Sequence, residues 1–391
     1  MSAKYTRRKI AALLGVTPAM LALGSQNVGA QSNTGSDVLD VAVIGAGAAG
    51  LTAGFLLNEA GLSFRVFEAA SIHGGRAKKD TSFADFPLDL GGEWVHTWAD
   101  VLNTLSQTNS ASKTAREWRP VSCQVWDGET LYQADRYALE WRGEQRFIDT
   151  TWFDFFDRYM AQGIRDRIRL NAQVAEVDYS GDLVNIRFAD GVAVRARHVI
   201  MTVPVNILKR GDIAFTPDLP RKKRRVLDQV IMPDGFKLFM RMRERFYPDM
   251  VLFDHGYETP EAEIMFYNVS LDKPTNQNIL GWFAHGAVAT PYARLSERDL
   301  VQAALDQLDQ LYDGAASRSY QGHVLQNWSK SPFHGGTYSY FANGSPKTLG
   351  ASIDGRVHFA GEAYNQRWDG EWGYMHVAAR SAYDAVEKVL G

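Results

Sequence analysis

An α/β fold is predicted, with a discontinuous Rossmann-like nucleotide-binding domain and a second, α+β domain interleaved within it. Three observations predict it. Residues 40–44 form an apolar strand pattern that runs directly into Gly45-Ala46-Gly47-Ala48-Ala49-Gly50 and an apolar helix over about residues 51–60. A second strand, residues 63–67, closes on an acid, Glu68. Two more buried-strand patterns, residues 199–203 and 357–360, and an amphipathic helix running to Leu390 bring distant parts of the chain back to this unit.

Each part of the first unit has a mechanical reason. Gly45 and Gly47 permit a tight turn and close approach of backbone to a pyrophosphate, Gly50 lets the helix pack on the strand, and the helix N-terminus attracts the anion. Glu68, about 20 residues beyond the glycines, is placed to hydrogen-bond ribose hydroxyls. NAD and FAD both fit such a unit, and the residues beyond Glu68 decide between them. In SIHGGRAKKD, Gly74-Gly75-Arg76 supplies a second phosphate-facing element where a nicotinamide dehydrogenase would continue its sheet. Residues 168–204 read as a three-stranded meander followed by the buried strand 199–203, and GRVHFAGEAYN as the strand 357–360 with Gly361-Glu362 at its tip.

At 391 residues the chain is long for one core, so two interleaved domains are expected. Hydrophobic residues at 45% and aromatics at 12% exclude a disordered or fibrous protein. The single cysteine, Cys123, cannot form an intrachain disulfide, and no Cys/His spacing reads as a metal site. Residues 1–32 carry Arg7 and Arg8, an apolar run from Ile10 to about Leu23 and small residues ending in Ala30, and resemble a twin-arginine export signal. The run is too short to span a bilayer, so no stable membrane insertion is expected, and the expected location is periplasmic or secreted. Cleavage after Ala30 would remove four basic and no acidic side chains, taking the net charge from -3 to -7, a poor balance for nucleic-acid binding. The run RKKRR, Arg221 to Arg225, follows Pro217 and Pro220 and is expected as the solvated face of a helix.

The set VIGAGAAGL, FEA, GGR, LGGEWVH, NAQV, VIMTVP and HFAGE, in this order beyond the leader, resembles the flavin-containing amine oxidase family, which includes monoamine and polyamine oxidases. The resemblance implies FAD held by Gly45, Gly47, Ala48, Ala49, Gly50, Glu68, Gly75 and Arg76 at its ADP half. It further implies cofactor contacts from Gly92, Glu93, Trp94, Val174, Gly361, Glu362 and Met375, with Val174 contacting adenine through its backbone and Glu362 holding the ribityl chain. The FAD-binding domain is expected over residues 38–100, 165–224 and 331–391, and the substrate domain over 101–164 and 225–330.

Four residues are candidates for the chemistry. Lys237 interrupts the apolar alternation Phe236-Lys237-Leu238-Phe239-Met240; the pattern alone reads as an edge or solvent-facing lysine, whereas the family has a lysine here that reaches a water bridged to flavin N5. Trp372, Tyr374 and Met375 could simply pack a helix N-terminus; the resemblance implies Tyr374 as one wall of an aromatic pair before the flavin. SPFHGGTYSYF, residues 331–341, reads alone as a glycine-containing hairpin, with Tyr338 either a core aromatic or a cavity wall. The resemblance implies Tyr338 as the other wall and Trp328 close to the flavin. Thr337 falls where the family has the cysteine that carries flavin covalently, so FAD is expected to be non-covalent. His96, in LGGEWVHTW, either sits near the far end of a substrate channel or is a histidine satisfied by backbone.

The expected reaction is oxidation of a primary amine or polyamine to an imine, then aldehyde, with electrons passing to O2 or a redox partner protein; a homodimer is possible. Three rivals stand beside it. An L-amino-acid oxidase would need an arginine for the substrate carboxylate, with Arg142, Arg241 and Arg294 as candidates. A C–C desaturase resembling protoporphyrinogen oxidase would leave Lys237 and the tyrosines without a role. A flavin-binding protein without turnover is the third.

Overall fold

The computed structural model describes residues 38–140, 143–254, 263–341, 345–366 and 373–391. The leader, Arg142 and Trp372 lie outside the described residues.

Leu39–Ile44 is buried over its last four residues, as expected of a strand covered on both faces. It runs parallel to Phe64–Phe67 on one side and to Ala193–Met201 on the other. Ala193–Met201 serves two further neighbours: its first half pairs antiparallel with Val184–Phe188, and its last three residues pair parallel with Val357–Phe359. The last strand of the meander and the buried strand beyond it are therefore one continuous strand. Arg195 and Arg197 point to solvent before the chain enters the covered region at Val199. The first helix, Ala48–Glu59, begins within the glycine loop rather than after it, since Ala48 and Ala49 are good helix formers. It packs against the last helix, Met375–Leu390, on one face of the sheet, while the meander and the helix Arg221–Gln229 cover the other.

The basic helix Arg221–Gln229 departs from its expected solvated face at one position. Lys223 is buried, its Nζ donating to the carbonyls of Thr348, Leu349 and Ala351 and lying 3.8 Å from the Phe359 ring centroid. It caps the carbonyl end of the short helix Pro346–Gly350.

The second sheet has seven strands in the order Tyr320–Asn327, Gly235–Met242, Asn278–His285, Glu263–Asn268, Met250–Phe253, Cys123–Trp126 and Leu131–Gln133. Gly235–Met242 is an interior strand, so Lys237 pairs across to Phe283 and Gln326 and is 3% exposed, neither at an edge nor facing solvent. Residues 101–164 divide between the two sheets: Cys123–Trp126 and Leu131–Gln133 extend the second, whereas Trp152–Phe156 packs into the core under the first.

Residues 331–339 form a loop rather than a hairpin. Only Tyr340–Phe341 pairs, with Val230–Ile231. Gly335 and Gly336 have φ of +68° and +156°, and a Cβ on Gly336 would meet the Met232 carbonyl at 2.7 Å, so both positions demand glycine. No helix among the described residues is long and apolar enough to cross a membrane.

Candidate functional site

One cavity of about 420 Å³ runs from the glycine loop, past the junction of the two sheets, to the aromatic residues at the start of the last helix. That is within the range of small-molecule sites, about 300–1,000 Å³. Gly45, Gly47, Ala48, Ala49, Glu68, Gly75, Arg76, Gly92, Glu93, Trp94, Val174, Gly361, Glu362 and Met375 all line it, together with Lys237, Trp328, Tyr338, Tyr374 and His96. Gly50 does not. A Cβ there would overlap the Gly45 carbonyl, so Gly50 permits the close approach of the helix to the glycine turn.

The nucleotide end is built by backbone. The helix Ala48–Glu59 has no side-chain cap and no acid in its first turn, and Gly47, Ala48 and Ala49 face the cavity, leaving N-terminal N–H groups for an anion. Glu68 accepts from the N–H groups of Ala46 at 2.7 Å and Ala70 at 2.9 Å. Burial raises its carboxyl above the usual range, and these backbone donors pull it back. Arg76 staples the distant loops: one guanidinium nitrogen donates to the Thr337 carbonyl at 2.7 Å and to Glu362 at 3.0 Å. Glu362 also accepts from the N–H and hydroxyl of Ser339.

At the other end stand the two tyrosines. Tyr338 is backed by the fully buried His285, ring centroids 4.0 Å apart and planes 13° from parallel. Nδ1 of His285 lies 2.6 Å from the Thr337 hydroxyl, and burial lowers the imidazole to about 3, keeping it neutral. Burial raises the Tyr338 phenol well above its usual value, with Glu263 and Tyr374 adding to the effect. Tyr374 stacks on His96 at 4.5 Å, and His96 in turn pairs with Glu144 at 3.0 Å; this carboxylate partner stands beside both readings offered for the histidine. The last helix, like the first, starts without a side-chain cap or an acid in its first turn, and Met375 and Ala378 face the cavity. Trp328 donates its indole N–H to the Leu90 carbonyl at 3.0 Å, which fixes its ring at the wall.

Lys237 reaches the cavity from below. Its ammonium donates to Glu93 at 2.8 Å and lies 3.4 Å from the Asp89 carbonyl. Glu263, which sequence reasoning missed, lies half-buried in the same wall. Burial raises its carboxyl to about 7, with His96 and Lys237 acting the other way. Its only sequence signal was an acid opening the apolar run EIMFYN. Of the arginines considered for an amino-acid substrate, Arg241 lies over the Phe83 ring at 4.8 Å, and neither Arg241 nor Arg294 lines the cavity.

These features define a dinucleotide-binding scaffold with an aromatic site. Residues 137–390 match the family model "Flavin containing amine oxidoreductase", and residues 43–107 match "NAD(P)-binding Rossmann-like domain". Among curated relatives, lysine-specific histone demethylase 1B of Mus musculus is 25% identical over 63% of this chain and 30% of its own length. Polyamine oxidase 4 of Oryza sativa subsp. japonica is 28% identical over 59% of this chain and 46% of its own. The chain thus spans less than half of either relative. The solved structure of cyclohexylamine oxidase from Brevibacterium oxydans IH-35A superposes with a TM-score of 0.73 at 18% identity, covering 90% of this chain and 99% of that one. The chain belongs to the flavin-containing amine oxidoreductase family, whose cofactor is FAD. The residues present fit that cofactor: a bare helix N-terminus and a glycine loop would hold the pyrophosphate, Glu68 would take a ribose, and the second bare helix N-terminus would favour negative charge on a ring bound before it.

Proposed function

We propose that the protein binds a primary amine or polyamine as its cation and oxidises it, after loss of one proton from the reacting nitrogen, at the carbon beside that nitrogen. The observation that carries this reading is the presence of Tyr338, Tyr374 and Glu263 in one cavity with the nucleotide cradle. Aromatic faces attract ammonium groups, and a carboxylate among them selects for positive charge. When bound, FAD would supply the two-electron oxidant, with O2 or another acceptor as the final sink for the electrons. The chain's share is positioning: the tyrosines orient the amine, and the buried surroundings exclude bulk water. The released imine hydrolyses to an aldehyde. An amino-acid substrate is disfavoured, because the cavity presents a carboxylate while Arg76 is engaged by Glu362 and the Thr337 carbonyl. The flavin is held without a covalent bond, because a threonine at 337 offers no thiol.

The test is product analysis. Aldehyde formed from putrescine, longer polyamines or monoamines supports the reading, and 2-oxo acid from amino acids alone refutes it. Peroxide formed in step with aldehyde identifies O2 as acceptor; aldehyde only with an added dye identifies a dehydrogenase. Twin-arginine export and a periplasmic or secreted location belong to the same proposal, supported by Arg7-Arg8 and the apolar run after them. Replacing both arginines by lysine should keep the protein in the cytoplasm, and unchanged export would refute that part.

A further inference from the structure

Beneath the aromatic end, Glu93 is enclosed by three donors. It is 6% exposed, and Oε2 accepts from Lys237 Nζ at 2.8 Å and from the Tyr267 hydroxyl at 2.7 Å. Oε1 accepts from Arg146 at 3.2 Å. Arg146 is 1% exposed and is itself fixed by the carbonyls of Val269 and Leu271. A carboxylate buried to this degree needs partners of opposite charge, and two cations flank this one. A second carboxyl, Asp89, approaches the same lysine through its backbone carbonyl, while its Oδ1 accepts from Trp152 N–H at 3.1 Å.

The geometry points to Glu93 as a positioning residue that fixes the Lys237 ammonium at the cavity wall, with Arg146 and Tyr267 holding Glu93 in turn. This inference rests on the amine oxidation proposed above and assigns Lys237 the part of a fixed hydrogen-bond donor rather than a free base. An ammonium has three N–H groups; Glu93 and the Asp89 carbonyl account for two, and one remains for the contents of the cavity. The electrostatics agree. Burial would raise the Glu93 carboxyl, but Lys237 and Arg146 reverse this and hold it at about 2. Asp89 is driven the other way, upward, by burial and by the charge on Glu93. Nearby, Lys273 is occupied by the carbonyls of Phe147 and Ile148.

The bland alternative is that Glu93 only neutralises Arg146 and ties the strands together. A double-mutant cycle on the flavin-loaded protein separates the two. Anaerobic flavin reduction by an amine that bleaches wild type is measured for Glu93→Gln, Lys237→Met and the double variant. If Glu93 acts through Lys237, Glu93→Gln slows reduction on the order of tenfold and adds almost nothing in the Lys237→Met background. Equal slowing in both backgrounds overturns the inference. A second readout needs no turnover: labelling of Lys237 by trinitrobenzenesulfonate, followed by peptide mass spectrometry. Labelling should rise in Glu93→Gln over wild type, and unchanged labelling overturns the inference. Tyr267→Phe removes one donor and no charge, so it gives the same comparison in milder form should Glu93→Gln fail to fold. If no amine bleaches the wild type, the functional reading fails, and the labelling arm still decides whether Glu93 holds Lys237.

Discussion

The neutral imidazole of His285 lies flat behind Tyr338, 4.0 Å between ring centroids, and is tied by Nδ1 to the hydroxyl of the preceding residue, Thr337. Tyr338 is therefore held from behind by a strand of the second sheet and from its own backbone by a loop anchored on the first. Its ring also packs against Gly373, one residue before the other tyrosine of the slot.

If the ring and not the hydroxyl of Tyr338 does the work, Tyr338→Phe should reduce flavin with amine at nearly the wild-type rate. Tyr338→Ala should slow that step about 100-fold, the cost of losing substrate alignment, while the thermal midpoint falls only modestly. His285→Ala should give an intermediate effect on rate. Stopped-flow reduction set beside thermal unfolding checks all three, and equal rates for Tyr338→Ala and wild type would make Tyr338 an ordinary core aromatic.

Glu263 predicts a pH dependence of binding. With its carboxyl at about 7, the group is half protonated near neutrality and charged above it. Affinity for a cationic amine should therefore rise as pH increases through 7, and fall below it as the carboxylate is lost. Glu263→Gln should remove this limb and weaken binding on the order of tenfold, through loss of a close, partly buried charge contact. Equilibrium binding of a non-oxidisable quaternary ammonium, measured from pH 5.5 to 8.5, isolates the effect from the protonation of the amine itself.

Adjacent glycines in LGGEW should behave differently. A Cβ on Gly91 would overlap the Arg76 carbonyl and meet the Trp328 ring at 3.0 Å, both fixed groups, whereas a Cβ on Gly92 meets the end of the Met375 side chain at 2.7 Å. A methionine end can move. Gly91→Ala should purify with little flavin or not fold, and Gly92→Ala should retain much more, as flavin absorbance per chain will show.

Lys223 offers a stability test. Burial lowers its amine from an ordinary 10.5 to about 7, so the folded state binds that proton less tightly than the unfolded state. Stability should then rise with pH from about 7 toward 10.5, and Lys223→Met should flatten this slope. Denaturant midpoints across that range measure it.

Much of the nucleotide end was legible because its rules are local: a strand, a glycine turn and an acid at fixed spacing leave one mechanical solution, and Gly45, Gly47 and Glu68 lie together on the cavity. The aromatic end was legible only through resemblance, since Tyr338 and Tyr374 come from segments whose own patterns fit a hairpin and a helix start. What escaped depends on contacts between residues far apart in sequence. Glu263 meets Tyr338 only because the strand Glu263–Asn268 pairs with Asn278–His285, whose His285 stacks on Tyr338. Lys223 reads as one of five exposed bases until Pro346–Gly350 folds over it. Glu93 was expected at the cofactor and lines the cavity, but no local pattern announces that Lys237, Arg146 and Tyr267, from separate strands, take up its carboxylate.

The central claim is that an amine held between Tyr338 and Tyr374 reduces a non-covalently bound FAD. Anaerobic titration of the purified protein with polyamines and monoamines, followed at the flavin absorbance band, tests it most directly. Stoichiometric bleaching by at least one amine, restoration of colour on adding an acceptor, and release of all the flavin into the supernatant on acid precipitation are expected. Bound flavin that no amine bleaches would contradict it.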